Sequence, residues 1–221
     1  MVANAFTEGN GRRQEIVASP ALLFVLTPYF AIPARGCLEE KDRMLSLILL
    51  CHDLRPAPEA AVSSALIRER AARSLASLVE ASIAGVIADA TLVAAASPSL
   101  ADIADEAGCH MIEAAEAGAA VERALGQARQ TDIFLLCAGF CVDRGFVDEA
   151  ADAAAFGGLK TARALKAAPE SLLTRLAPSL ARPVGLLARK NAISEAGGAE
   201  VARLARTLKA REMVSRARRG A

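Results

Sequence analysis

Apolar and polar positions along the middle of this chain change repeatedly between two patterns. Met44-Leu-Ser-Leu-Ile-Leu-Leu-Cys51 is a short, almost unbroken apolar run, the pattern of a strand covered on both faces. A loop with two prolines, Pro56 and Pro58, leads into a helix expected over about Glu59 to Ala84. Its stripe is Leu66, Ala71, Leu75, Leu78 and Val79, with Arg68, Glu69, Arg70 and Arg73 largely opposite. Ala90 to Ala96 predicts a second strand, Ser97-Pro-Ser99 caps a helix from Leu100 to Ala107, and Gly108 ends it. Cys109 to Glu113 reads as a third strand and Ala117 to Arg129 as a third helix. The fourth strand lies in Thr131-Asp-Ile-Phe-Leu-Leu-Cys-Ala-Gly-Phe-Cys-Val-Asp143, which passes from a polar entry through an apolar run to a glycine-containing turn. Another helix begins at Gly145.

Strands of this length alternating with helices predict a single α/β domain, with a mostly parallel, right-handed sheet flanked by helices. Ligands of such sheets bind at the carboxyl ends of the strands, so Cys137 to Asp143 is the expected rim of a site. The domain is expected over 44–190. Residues 1–43 differ: Gly9, Gly11, Pro20, Pro28, Pro33 and Gly36 interrupt every periodic window. With Met44 at the first residue of the first core strand, 1–43 reads as a weakly ordered extension outside the native product, or as an added edge strand at 21–27. Residues 191–221 read as a C-terminal helix, Ala192 to about Arg211 and interrupted by Gly197-Gly198, followed by a basic tail. Leu172–Leu176 and Pro183–Ala188 are apolar runs of unassigned type.

Composition narrows the classes. The 221 residues are 53% hydrophobic but 4% aromatic, with no Trp, and alanine is the commonest of the apolar residues. Such a chain favours close helix packing over a core of large side chains. A net charge of +1 gives no general attraction to nucleic acid. Cys37, Cys51, Cys109, Cys137 and Cys141 have no repeated spacing, which argues against a disulfide framework and for a reducing cytoplasm. Ala21–Ile32 is too short to span a bilayer, is interrupted by Pro28 and lacks a small-residue cleavage site, so neither a transmembrane segment nor a signal peptide is expected.

The order and spacing of residues 44–150 resemble the family 2 glycosyltransferases, with the A-type nucleotide-sugar-binding fold, and in particular small bacterial members. The resemblance lies in the first strand with the helix ending Arg73-Ser-Leu-Ala-Ser-Leu78, and in Leu100-Ala-Asp-Ile-Ala-Asp-Glu-Ala-Gly108 after the second strand. It continues through Asp132-Ile-Phe-Leu-Leu136 to Gly145-Phe146, and Leu172–Leu176 and Pro183–Leu187 also look like that group. It implies a Rossmann-like nucleotide-diphospho-sugar transferase fold and a nucleotide sugar as ligand. It also implies an Asp-x-Asp-like turn after the fourth strand, whose carboxylate holds a divalent metal. Here Gly139 occupies that position between Ala138 and Phe140, and the second strand runs into Ala94–Ser99 without a carboxylate. The resemblance is therefore to a degenerate member, with no usual metal site and no other cofactor expected.

Asp53, Ser97, Gly139, Asp143 and Arg144 are the candidate nucleotide-sugar-binding residues. Arg144 and the helix start near Gly145 are the local means of balancing a diphosphate. Asp53 reads at least as readily as a loop cap before Pro56, and Asp143 lies four residues beyond Gly139, past the turn. Cys51, His52, Cys137 and Cys141 suggest a thiol or transition-metal site if the first and fourth strands are neighbours, against buried thiols beside a solvated histidine. From Arg203 to Ala221, Arg203, Arg206, Lys209, Arg211, Arg216, Arg218 and Arg219 face one acid, Glu212. The tail could touch an anionic surface, or simply complement a helix dipole. Two functions fit: sugar transfer from a nucleotide sugar without the usual metal, or a non-catalytic binding or scaffold subunit with a protein partner.

Overall fold

The computed structural model describes residues 44–52, 64–95, 97–155 and 159–220. The segment 1–43 and the loop carrying Asp53 lie outside them. Among the described residues sixteen elements follow one another, of which the first nine reproduce the strand–helix alternation. They are β1 (Leu45–Leu50), α1 (Ser64–Ile83), β2 (Ile87–Ala94), α2 (Pro98–Glu106), β3 (His110–Glu113), α3 (Ala117–Gln127), β4 (Asp132–Cys137), β5 (Phe140–Cys141) and α4 (Arg144–Ala155). After them come β6 (Arg163–Ala167), α5 (Leu172–Leu176), a 3-10 turn (Pro178–Leu180), β7 (Pro183–Arg189), α6 (Lys190–Ala196), α7 (Val201–Thr207) and β8 (Arg211–Arg219).

One eight-stranded sheet runs in the order β3-β2-β1-β4-β7-β6-β8-β5. β3, β2, β1 and β4 are mutually parallel, and β7 enters antiparallel between β4 and β6. Side chains alternate across the central strands. Leu45, Leu47, Leu49, Phe134 and Leu136 enter one buried layer with α1, α2 and α4, and Ile48, Leu50, Ile133 and Leu135 enter the other with α3, α6 and α7. Cover on both faces is why these strands are nearly continuous apolar runs. Alanines at 71, 81, 104, 120, 124, 150 and 153 form the inward helix faces, which lets helices sit close to the sheet. Phe134 and Phe146 are fully buried against each other, with ring centroids 4.6 Å apart.

Three expectations need correction. The buried row of α1 includes Ala71, Ser74, Leu78 and Ala81, whereas Leu66 and Val79 are 38% and 53% exposed. The helix is turned so that serines as well as apolar residues face inward. β2 starts three residues earlier than its apolar half, at Ile87. Finally, 191–221 is no separate helix and tail: Gly197 and Gly198, with φ of +63° and +91°, split the helix, and 211–219 is a strand of the main sheet. Its alternation is hidden by a bulge, since Ala164 pairs with Glu212 while Lys166 pairs with Arg216. Only Met213 and Ala217 turn inward, at a spacing of four. The Glu149 carboxylate accepts hydrogen bonds from the bulge's Val214 and Ser215 amides, at 3.1 and 3.0 Å, and from the Ser215 hydroxyl, at 2.8 Å.

Candidate nucleotide-sugar crevice

The parallel strands β1, β2 and β4 end together, and the chain leaves them at Cys51, Ala95 and Ala138. Leu50 and Cys137 are register partners, and the Ala138 amide donates to the Leu50 carbonyl at 2.9 Å. β6 runs parallel to this set through β7, so its carboxyl end, with Arg182 at the start of the returning strand, belongs to the same end of the sheet. The buried carboxylate of β4, Asp132, lies at the opposite end, where burial raises its pKa against the Leu159 amide and Arg189. It takes no part in the crevice.

The turn after β4 is closed on itself. Gly139 has φ +92°, a conformation that L side chains rarely adopt. Its amide donates to Ser74 Oγ at 2.9 Å and to the Arg70 carbonyl at 3.3 Å, and its carbonyl accepts from the Gly220 amide at 3.0 Å. A Cβ at Gly139 would stand 3.0 Å from Arg70 Cγ, and one at Gly220 would stand 3.0 Å from Arg73 Cδ. The stems of two α1 arginines thus lie flat against two glycines. Beyond the turn the chain follows α1 downward: Cys141 Sγ donates to the Arg73 carbonyl at 3.5 Å, and the Val142 amide to Ser77 Oγ at 3.1 Å. Arg144 then reaches Glu80, Nε to Oε1 3.7 Å. From Arg70 to Glu80 the helix rises roughly 15 Å, so Gly139 and Arg144 are not brought together.

Asp143 begins α4. Its Oδ1 accepts from the Phe146 amide at 3.2 Å, and its carbonyl accepts from Phe146 and Val147. Ser97 is the residue before α2, at the carboxyl end of β2; its carbonyl accepts from Leu100 and Ala101, and its hydroxyl lies 3.1 Å from that of Ser99. No backbone amide is bound by the Ser97 side chain, which leaves the hydroxyl pair for other partners. Asp53 is outside the described residues.

The thiols separate into different surroundings. Cys51 and Cys137 are neighbours on β1 and β4. Burial, helped by Cys137, pushes the Cys51 thiol up to about 12. Burial pushes Cys137 up to about 11, with Arg182 pulling it down and Glu200 adding to the rise. Both are therefore protonated near neutrality and poor ligands or nucleophiles. Cys141 lies against α1, and His52 Nε2 is 2.9 Å from the Ala114 carbonyl at the end of β3. Among the described residues no group of three or more His, Cys, Asp or Glu is placed to hold a metal ion. Among the described residues the buried His52 Nδ1 atom has no hydrogen-bond partner.

Sequence reasoning missed Ser74, Ser77, Gly220 and Arg182. The serine pair three residues apart on an otherwise apolar helix face was a visible signal for the first two. Arg182 carried none, because its place depends on β7 returning beside β4.

This architecture is the nucleotide-diphospho-sugar transferase-like fold. Glucosyl-3-phosphoglycerate synthase from Mycobacterium tuberculosis, in complex with Mn2+, UDP and phosphoglyceric acid, is 13% identical, with a TM-score of 0.52 over 82% of this chain and 72% of that one. The same enzyme with Mn2+, UDP-glucose and phosphoglyceric acid is 13% identical, with a TM-score of 0.53 over 82% and 73%. A crystal structure described as a mycobacterial protein is 14% identical, with a TM-score of 0.54 over 81% of this chain and 66% of its own. At these identities the likeness is one of fold. No protein-family model and no curated protein sequence matches the chain.

Proposed function

We propose that this protein is a glycosyltransferase-like protein that takes a nucleotide sugar into the crevice above β1, β2 and β4 without a divalent metal on the β4 turn. The observation that carries the reading is Gly139. It stands where the resembled family has its metal-binding carboxylate, and both of its backbone hydrogen-bonding groups are bonded within the chain. Ala138 and Phe140 bring no ligand atom. Asp143 is engaged in capping α4. The residues present do not fit a hard cation that needs several oxygen ligands.

A sugar diphosphate brought here still needs compensating charge. Arg144 is held toward Glu80, so Arg182, beside Cys137, and Arg70, beside Gly139, take that role in this reading. Ser97 and Asp53 remain the candidates for contacts to the nucleoside. The glucosyl-3-phosphoglycerate synthase complexes, which hold UDP with Mn2+, support the ligand class and not the metal. The cytoplasm is the compartment that suits this reading, as the nucleotide-sugar supply and free thiols would be found there.

The same absence of a carboxylate favours a second reading, a non-catalytic binding subunit that retains the fold. Thermal-shift measurements with a panel of nucleoside diphosphates and their sugars, with and without Mn2+, separate the readings. Stabilisation by a nucleotide sugar, equal in both conditions, supports the first. No shift with any nucleotide leaves the second, and a shift seen only with Mn2+ contradicts the metal-free site.

A further inference from the structure

The connection from β6 to β7 ends in a convex apolar tip. Leu172, Leu173, Leu176 and Leu180 are 76%, 73%, 85% and 71% exposed, four large apolar side chains within nine residues. The backbone that presents them is well tied. Ser171 and Thr174 form a capping box at the start of α5, and the Ala177 amide donates to the Leu173 carbonyl at 2.9 Å. Lys166 Nζ donates to the Ser179 carbonyl at 2.6 Å. An ordered scaffold that holds leucines in water marks a contact surface.

Its charge says what kind. Arg175 lies between the leucines and Arg182 follows them, both exposed, and among the described residues neither has a carboxylate within ion-pair distance. Glu170 is the single acid between Arg163 and Arg182, and Arg219 stands 3.9 Å from it. Arg218 and Arg219 close the same end of the sheet at the finish of β8, where Ala168 bonds to Ala217. A protruding tip with a cationic collar suits a soft acyl–headgroup boundary, whereas a folded partner would need a matching apolar groove rimmed with acids. Among the described residues no helix is long and apolar enough to cross a membrane, so the contact is with a surface.

We propose that Leu172, Leu173, Leu176 and Leu180, with Arg175 and Arg182, dock the protein on an anionic bilayer surface. The tip rises from the carboxyl end of β6, so docking sets the mouth of the crevice beside the headgroups. The four leucines and Arg175 lie apart from the residues assigned to the crevice, Arg182 is shared with it, and the docking stands whether or not the crevice transfers a sugar.

The test is sedimentation of the full chain with vesicles of phosphatidylglycerol and phosphatidylcholine at one to three, against phosphatidylcholine alone. The expected result is binding to the anionic vesicles that is at least tenfold weaker without phosphatidylglycerol and falls with added salt. Replacing all four leucines by serine weakens it at least tenfold with the melting temperature held, because none of them is buried. If that variant folds poorly, Leu176→Ser and the pair Arg175→Glu with Arg182→Glu each give the same direction. No binding to the anionic vesicles overturns the proposal, as does equal binding by the serine variant. So does a dimer in solution that the serine substitutions dissolve, which would assign the tip to a second copy.

Discussion

Gly139 is the residue on which the site reading turns, and its role is steric as well as chemical. An alanine there meets a φ of +92° and an Arg70 Cγ at 3.0 Å. Strained L residues of this kind cost about 1–3 kcal/mol. Gly139→Ala is expected to lose that much stability in urea unfolding, and Gly139→Asp at least as much. Unchanged stability would mean that the turn can open. The thiols beside it give a second expectation. Cys51 and Cys137 stay protonated in the folded chain to about 12 and 11, against an ordinary 9.0. Their folded-state values are raised, so the stability they add is complete below pH 9 and is lost as pH climbs from there toward the folded values. At pH 8, iodoacetamide should leave the buried Cys51 unlabelled in the native protein and label it after unfolding, as peptide mass mapping would show; native labelling of Cys51 would contradict its burial. That Gly139, between Ala138 and Phe140, brings no side-chain ligand atom to the turn was legible in the sequence. Its consequence, that a helix and the residue at 220 bond the turn shut, was not, since it joins residues some 65 to 80 positions apart.

At the scale of elements, legibility followed the environment of each strand. β1 and β4 were readable because helices cover both faces and make nearly every position apolar. β8 was not: a bulge breaks its alternation, and its arginines look like a helix or a solvated tail. Glu149 is the means by which α4 holds that bulge. Burial alone would raise its pKa, but hydrogen bonds from Ser215 and Val214, with Arg163 nearby, outweigh this and hold it below the usual 4.5. A depressed carboxylate contributes its stability above its unfolded value and loses it as pH falls through the folded one. Glu149→Gln should therefore cost about 1–2 kcal/mol at pH 7, toward the low end for charge-assisted bonds because water reaches the group. The gap between the two proteins should close as pH falls below 4.5. A gap that persists at pH 3 would assign the loss to packing instead.

The whole molecule combines a nucleotide-diphospho-sugar transferase-like sheet with a β4 turn bonded inward to α1 and to Gly220. β7 returning antiparallel beside β4 brings Arg182 to the carboxyl end of β6, where the proposed reading uses it for charge balance, and this placement could be seen only in three dimensions. The β6–β7 connection rises at the same end, so ligand crevice and apolar tip share one side of the sheet. In the proposed reading, charge balance by arginine rather than by a metal ion makes a direct demand on binding. Isothermal titration of UDP into the protein, once in EDTA and once in Mn2+, tests it. The account predicts binding with dissociation constants within about threefold of each other, since one order of magnitude corresponds to about 1.4 kcal/mol of metal-dependent interaction. Binding that appears only with Mn2+, or tightens more than tenfold with it, would contradict the account.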